Sequence, residues 1–253
     1  MITSNDDMDQ LVKPVAEKSI EELRSIFKPF DILHNPEVFK LQYPEGIFRK
    51  ASVLMPLCFK NGEYHIILTL RSKDLTHHAG YVAFPGGMQD DTDKDEIATA
   101  LREAEEEIGL DPKCVEIIGL FSPGLVRPNS IVYPVLGIVP SDFTPVINEN
   151  EVSLVFELPL RRFLSSERRR ISDFLSSTNA TYHVYHFIDH VKGEEVDTWG
   201  FTASFCCMTA LGVYQSEHTF SFYEHFNINK NNIFVPTATD LIVKEVLKQT
   251  SKY

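Results

Sequence analysis

The sequence lacks a long apolar segment, which argues against a chain that spans a membrane. Its longest apolar stretch, residues 201–214, has about fourteen residues, whereas a helix that crosses a bilayer needs roughly twenty. The first residues include early acids and are not followed by an apolar signal core, which argues against secretion and against a mitochondrial presequence. We therefore expect no membrane partner and interpret residues 201–214 as a buried helix.

Positive charge is also scarce, since 24 Lys and Arg residues face 36 Asp and Glu residues and the formal net charge is -12. Proteins that bind nucleic acid usually present a dense basic surface, so we expect no nucleic-acid partner. An anionic small-molecule substrate is not excluded, because a bound divalent cation reverses the local field. The four cysteines lack metal-ligand spacing and fit buried thiols in a reducing compartment.

Apolar periodicity and turn signals predict one α/β domain with short extensions. With 253 residues, of which 43% are hydrophobic, the chain can bury a full core as a single domain. We place a helical extension at residues 1–45, the main domain at 46–245 and a tail at 246–253. The patterns predict helices near 17–30, 95–108 and 202–214, and strands near 51–59, 64–70, 81–84, 115–121, 131–139, 152–158 and 182–188, with a polar loop before the last strand. Strands around long helices indicate an α/β sandwich on a mixed sheet.

Three glutamates share one face of the second predicted helix. Glu103, Glu106 and Glu107 are spaced i, i+3 and i+4, and like charges at this spacing each cost about 0.2–0.5 kcal/mol in an isolated helix. A hard divalent cation, which prefers carboxylate oxygens, would turn this repulsion into coordination. The alternative is a solvated acidic face that Arg102 and Lys113 neutralise, and the residues of the helix alone leave both open.

The segment from Gly87 to Leu110 resembles the Nudix box, whose pattern is G-x5-E-x7-R-E-U-x-E-E-x-G-U with U an apolar residue. Residues 102–110 match every specified position of the right half, with Ala104 as its apolar residue. The left half departs from the pattern. Asp93 stands at the usual glutamate position, and eight residues rather than seven separate it from Arg102.

The resemblance implies a Nudix-type α/β/α sandwich with a mixed β-sheet and a hydrolase of diphosphate linkages that needs Mg²⁺ or Mn²⁺. It implies that Glu103, Glu106 and Glu107 bind the metal. Glu103 and Glu106 are then also catalytic, together with Arg102, which orients a glutamate rather than contacting the substrate.

A second motif is similar to the signature of the coenzyme A diphosphatase branch of the Nudix family. Residues 67–72 and 80–87 keep its spacing from Arg71 to Gly87, although Thr76 replaces its second arginine. Segments 132–135, 150–152, 158–160 and 199–203 also resemble that branch, so that the similarity covers about 51–215 and is greatest to the peroxisomal members. It implies substrate contacts from Arg71, Gly86 and Gly87.

The implied reaction is hydrolysis of the diphosphate bond of coenzyme A or an acyl-CoA, giving 3′,5′-ADP and (acyl-)4′-phosphopantetheine. Because of Thr76, hydrolysis of another nucleoside diphosphate derivative, such as NADH or ADP-ribose, is the alternative. A nucleotide-binding Nudix module without catalysis is a third hypothesis, against which the mutually repelling glutamates argue.

Three further features carry weaker signals. Glu151 follows a polar loop and is either a late carboxylate of the site, such as a general base, or an ordinary loop acid. His77 and His78 are adjacent, which is poor geometry for one metal, and we interpret them as loop residues. The terminal residues 251–253 differ from the peroxisomal address Ser-Lys-Leu only in Tyr253, which predicts import through a peroxisomal receptor, with the cytoplasm as the alternative.

Overall fold

The computed structural model describes residues 15–37, 48–126, 130–175, 181–224 and 226–234. The first fourteen residues, the predicted boundary between residues 45 and 46, the end of the main domain at 245 and the proposed tail at 246–253 all lie outside these ranges. The import signal therefore stays a prediction. Within the described ranges, no helix combines the length and apolar character that crossing a membrane requires.

Three helices and two sheets make up the described fold. The helices are α1 (Ile20–Phe27), α2 (Glu96–Ile108) and α3 (Gly200–Tyr214). The first sheet contains β1 (Arg49–Lys60), β2 (Glu63–Arg71), β3 (Val82–Ala83), β4 (Gly86–Met88), β5 (Glu116–Leu120), β6 (Gly124–Val126), β7 (Ser130–Ile138) and β8 (Val152–Pro159). The second contains β9 (Arg169–Leu175), β10 (Thr181–Val191), β11 (Glu194–Trp199), β12 (Phe220–Tyr223) and β13 (Phe226–Ile228).

The first sheet is mixed, as the sequence predicts, because β1 pairs in parallel with β7 and antiparallel with β2. The β1–β2 hairpin closes on Asn61 and Gly62, which both adopt positive φ as a tight hairpin turn requires. Toward their other ends β1 and β2 separate, and the segment from β3 to β4 fills the gap. In that segment β3 pairs with β2 while β4 pairs with β1.

Helices cover both faces of this sheet. Side chains alternate along a strand, so Leu54 packs under Ala100 and Ala104 of α2, whereas Leu57 joins the opposite core with α1 and α3. The cores have Leu23 and Phe27 of α1 fully buried and nearly every residue of α3 after Thr202 buried. The predicted α/β/α sandwich is confirmed.

The boundaries of α2 follow directly from its terminal residues. Asp95 accepts a hydrogen bond from the Ala98 amide at 2.7 Å and so caps the first turn. Gly109 ends the helix at φ 70°, the left-handed conformation that glycine adopts without steric cost. The helix therefore holds Glu103 and Glu107 one turn apart in a fixed register.

The main error of the sequence-based prediction is the polar loop that it placed before β10. This region contains a 3-10 helix at Leu160–Leu164 and strand β9, which pairs with β10 along its whole length. Arg169 and Arg170 begin this edge strand, its side chains are largely exposed, and the apolar alternation typical of a strand is absent. The second sheet was not expected.

Candidate active site

The Gly86-Gly87 pair lies in the gap between β1 and β2, and at Gly86 the neighbouring backbone leaves space only for glycine. A Cβ on Gly86 would stand 2.4 Å from the carbonyl oxygen of Ser52. A Cβ on Gly87 would stand 2.4 Å from Oε2 of Glu103. The two glycines therefore let the backbone of β4 approach both β1 and the carboxylate of α2.

Three carboxylates converge at this point. Glu103 and Glu107 come from α2 and Glu151 comes from the loop before β8, and one ligand oxygen of each lies within 4.8 Å of the others. Glu107 is buried, while Glu103 and Glu151 are partly buried. In the described part of the chain, this trio has the separation expected of carboxylates around a single cation.

The loop that carries Glu151 is hydrogen-bonded to the end of α2. The amide of Asn148 donates to the carbonyl of Glu107 at 3.0 Å, and the amide of Val146 donates to that of Ile108 at 2.9 Å. The carbonyl of Glu151 accepts from the amide of Ser72 at 2.8 Å. Backbone bonds on both sides thus bring Glu151 to the helix.

Burial dominates the electrostatics of the trio. The pKa of Glu107 is raised to about 7, mainly by loss of solvent and to a smaller extent by the nearby charges of Glu103 and Glu151. The Gly86 amide, which donates to Glu107 Oε2 at 3.1 Å, and the charge of Arg71 oppose this rise. Burial also raises the pKa of Glu103. Glu103 and Glu107 therefore resist ionisation, and a bound divalent cation would favour their charged forms.

Arg71 is the cation nearest to Glu107. Its Nη1 lies 3.4 Å from Glu107 Oε1, and its side chain keeps about a quarter of its surface exposed. Its Nε is buried and has no hydrogen-bond partner among the described residues. The guanidinium therefore has a donor to offer an anionic oxygen at the edge of the carboxylate trio.

Arg102 connects the residues around the trio without joining it. Its guanidinium donates to both oxygens of Asp93 at 2.9 Å and to the carbonyl of Met88 at 2.9 Å. It also lies 3.0 Å from Glu103 Oε1 and 3.1 Å from Glu106 Oε2. This position fits the orienting role inferred from the sequence, because Arg102 holds the Glu103 carboxylate in place without joining the trio.

The structure brings together most, but not all, of the residues singled out in the sequence. Glu103, Glu107, Arg71, Gly86 and Gly87 surround one point. Glu106 does not join them, since it is exposed and pairs with Arg102 instead. Glu151, which the sequence left undecided between a site residue and a loop acid, takes the third place in the trio.

The residues present fit a divalent cation such as Mg²⁺ or Mn²⁺. Three carboxylates offer the hard oxygen ligands that these ions prefer. The glycine backbone leaves room beside Glu103, and the unpaired Nε of Arg71 indicates that a further anionic group completes the site. The arrangement suits polarisation of a phosphate or diphosphate group.

Comparison with known proteins gives consistent matches. The NUDIX domain model matches residues 48–175. "Nudix hydrolase 22, chloroplastic" of Arabidopsis thaliana is 40% identical over 177 residues, which cover 68% of this chain and 58% of that protein. "Uncharacterized Nudix hydrolase NudL" of Escherichia coli is 40% identical over 165 residues, covering 65% and 83%.

The chain spans less than two thirds of the length of the two plant relatives, 58% of one and 61% of the other. Among solved structures, a MutT/nudix family protein from Enterococcus faecalis matches 80% of this chain and 77% of its own, with a TM-score of 0.42 and 14% identity. The family model covers half of the chain and includes every strand and helix that carries the carboxylate trio. The chain therefore belongs to the Nudix family.

Proposed function

We propose that this protein hydrolyses the diphosphate bond of a nucleoside diphosphate derivative with the help of Mg²⁺ or Mn²⁺. The observation that carries the proposal is the convergence of Glu103, Glu107 and Glu151 beside Arg71. An acid cluster kept only for stability would carry the cost of burying like charges. In a site that binds a cation and a diphosphate, the bound cation offsets this cost.

Each residue has a distinct part in this reaction. Glu103, Glu107 and Glu151 hold the cation, which when bound stabilises negative charge on the diphosphate oxygens. Arg71, whose side chain is partly exposed, binds a diphosphate oxygen through its guanidinium. The Gly86 amide orients Glu107, and Arg102 orients Glu103.

Within this class we propose coenzyme A or an acyl-CoA as the substrate. The motif between Arg71 and Gly87 supports this proposal, because both of its ends contact glutamates of the carboxylate trio. Arg71 contacts Glu107, and Gly87 lies against Glu103. NADH or ADP-ribose is the competing substrate because Thr76 stands where the branch has its second arginine.

Hydrolysis of a panel of CoA, an acyl-CoA, NADH and ADP-ribose with Mg²⁺ or Mn²⁺ tests both levels of this proposal. We expect the highest kcat/KM for CoA or the acyl-CoA. A tenfold advantage of ADP-ribose, about 1.4 kcal/mol in transition-state stabilisation, would assign the protein to the competing substrate.

A pair of variants tests the site itself. Glu107→Gln should lower kcat roughly 10²-fold or more at saturating metal, because a buried ligand and its charge are lost. Glu105→Gln, two residues away and exposed, is the matched control and should retain full activity. Full activity of Glu107→Gln would reject the proposed site. If the protein hydrolyses a substrate of the panel and both variants keep full activity, catalysis takes place at another site.

A further inference from the structure

An exposed aromatic pair, of which one member is hydrogen-bonded to the backbone of Arg71, has no part in the functions described so far. Tyr81 and Trp199 expose 43% and 36% of their surfaces, which is unusual for side chains that gain so much from burial. Their ring centroids are 5.2 Å apart and their planes cross at 68°. The pair therefore presents ring surfaces to solvent in a defined geometry.

A fixed histidine supports the indole ring. His186 is buried and stacks on Trp199 with a centroid separation of 5.7 Å and an interplanar angle of 11°. Both nitrogens of its imidazole are engaged, Nδ1 with Asp197 at 2.9 Å and Nε2 with Ser172 at 3.1 Å. Because strands β9, β10 and β11 together hold this ring, the position of Trp199 is set before any ligand arrives.

The aromatic pair is next to Arg71 in the sheet. The amide of Arg71 donates to the carbonyl of Tyr81 at 3.0 Å, and the amide of Gly80 donates to the carbonyl of Arg71 at 3.1 Å. Neighbouring strands lie about 4.8 Å apart, so a ligand bound at Arg71 needs to extend by only one strand spacing to meet Tyr81. The hydroxyl of Thr202 bonds to the carbonyl of Val82 at 3.2 Å and anchors the start of α3, next to Trp199, to β3.

We propose that Tyr81 and Trp199 form the subsite that stacks against the nucleobase of the substrate. The inference rests on the proposed function only in taking the diphosphate to lie at Arg71 and the carboxylates. Aromatic side chains bind nucleobases through their ring faces, and this interaction needs no hydrogen-bond readout. The subsite therefore recognises a planar heteroaromatic base. The group at the other end of the diphosphate then lies on the opposite side of the site.

Intrinsic fluorescence tests this proposal without any variant, because Trp199 is the single tryptophan of the chain. Titration with AMP, with excitation at the red edge of the indole band, should quench the emission in a saturable manner. Ribose 5-phosphate, which carries the phosphate without the base, should leave the emission unchanged. Unchanged emission at AMP concentrations that inhibit hydrolysis, or equal quenching by ribose 5-phosphate, would overturn the proposal.

Kinetics of variants give a second, independent measurement. Tyr81→Leu and Trp199→Leu should each raise KM about tenfold, equivalent to about 1.4 kcal/mol, while kcat stays close to that of the unmodified protein. Tyr81→Phe keeps the ring and should restore KM. Phe174→Leu, which removes another exposed aromatic ring of the second sheet, is the matched control and should leave KM unchanged.

The outcome for this subsite is separable from that for the proposed function. Normal KM in both leucine variants of an active enzyme would overturn the stacking subsite and leave the diphosphate hydrolase intact. If the protein hydrolyses nothing on the panel, the proposed function fails. Saturable quenching by AMP but not by ribose 5-phosphate would then still support the base-binding surface.

Discussion

Arg102 donates two parallel hydrogen bonds to Asp93, from Nε to Oδ1 and from Nη2 to Oδ2, and each is 2.9 Å long. This two-point pairing is the strong form of an arginine–carboxylate contact. The hydrogen bonds from Arg102 lower the pKa of Asp93 to about 2. Despite the extra residue before α2 and the shorter acid, the acidic loop is thus joined firmly to the helix that carries the glutamates.

Replacing Asp93 with Asn should destabilise the protein and disturb Glu103. The variant leaves Arg102 without its charged partner, and we expect the free energy of unfolding to fall by about 1.5–3 kcal/mol, the usual range for hydrogen bonds to charged groups. Urea denaturation measures this change. Asp91→Asn alters an exposed acid of the same loop and should leave the free energy of unfolding within about 0.5 kcal/mol.

Acid should remove the contribution of the Asp93–Arg102 pair. The folded-state pKa lies below the ordinary value of 3.8, so the stabilisation is complete above that value and is lost as pH falls toward about 2. The difference in free energy of unfolding between the unmodified protein and Asp93→Asn should therefore shrink across this window. A difference that stays constant down to pH 2 would contradict the pairing.

Glu107 should have the opposite dependence on pH. Its pKa in the folded protein is about 7, above the ordinary 4.5, so in metal-free protein its contribution is present below 4.5 and is lost as pH rises to about 7. We expect the free energy of unfolding to decline over this window in chelator, and Glu107→Gln to remove part of the decline. Mn²⁺ affinity should rise over the same window because the cation displaces a proton. A pH-independent affinity would refute this.

Glu151 should contribute more to metal affinity than its neighbours do. Its carboxylate stands within 4.8 Å of those of Glu103 and Glu107, whereas Glu149 is exposed in the same loop. Calorimetric titration with Mn²⁺ should show weaker binding by Glu151→Gln, by about tenfold or more, and unchanged binding by Glu149→Gln. Glu106→Gln should resemble the second variant more than the first, since Glu106 faces Arg102. Equal losses in all three variants would remove Glu151 from the site.

Gly87→Ala should weaken metal binding through Glu103. The added methyl group would lie 2.4–2.6 Å from the Glu103 carboxyl atoms, and that carboxylate would have to move. We expect a clear loss of Mn²⁺ affinity with little change in the free energy of unfolding. In a Glu103→Ala background the same substitution should have no further effect on affinity, which a double-mutant cycle measures. Additive losses would show that Gly87 acts by another route.

Local signals in the sequence predicted the local parts of this structure. Asp95 and Gly109 marked the ends of α2, and Asn61 with Gly62 marked the β1–β2 turn, because capping and turn conformations depend on the residue itself. The facing of Glu103 and Glu107 followed from helical periodicity. The spacing of apolar residues likewise indicated an α/β sandwich on a mixed sheet, and the resemblance to the Nudix box implied its α/β/α form.

Contacts between distant segments could not be read in the same way. Glu151 reaches the helix because β8 pairs with β2 and its loop bonds to the end of α2, and neither pairing leaves a local signal. Strand β9 escaped detection because its largely exposed side chains do not alternate in polarity. The contact between Trp199 and Tyr81 was also out of reach, because it forms only when the second sheet packs against the edge of the first.

Helix α3 is apolar around its whole circumference because it is packed between the first sheet and the second. The consecutive residues Phe205, Cys206 and Cys207 point to different sides of the helix and are all buried. Yet α3 follows the segment 48–175 that the family model matches. A fragment limited to residues 48–175 would lack α3 and would expose Leu57, Leu68 and their neighbours to solvent. Such a fragment should therefore aggregate rather than fold.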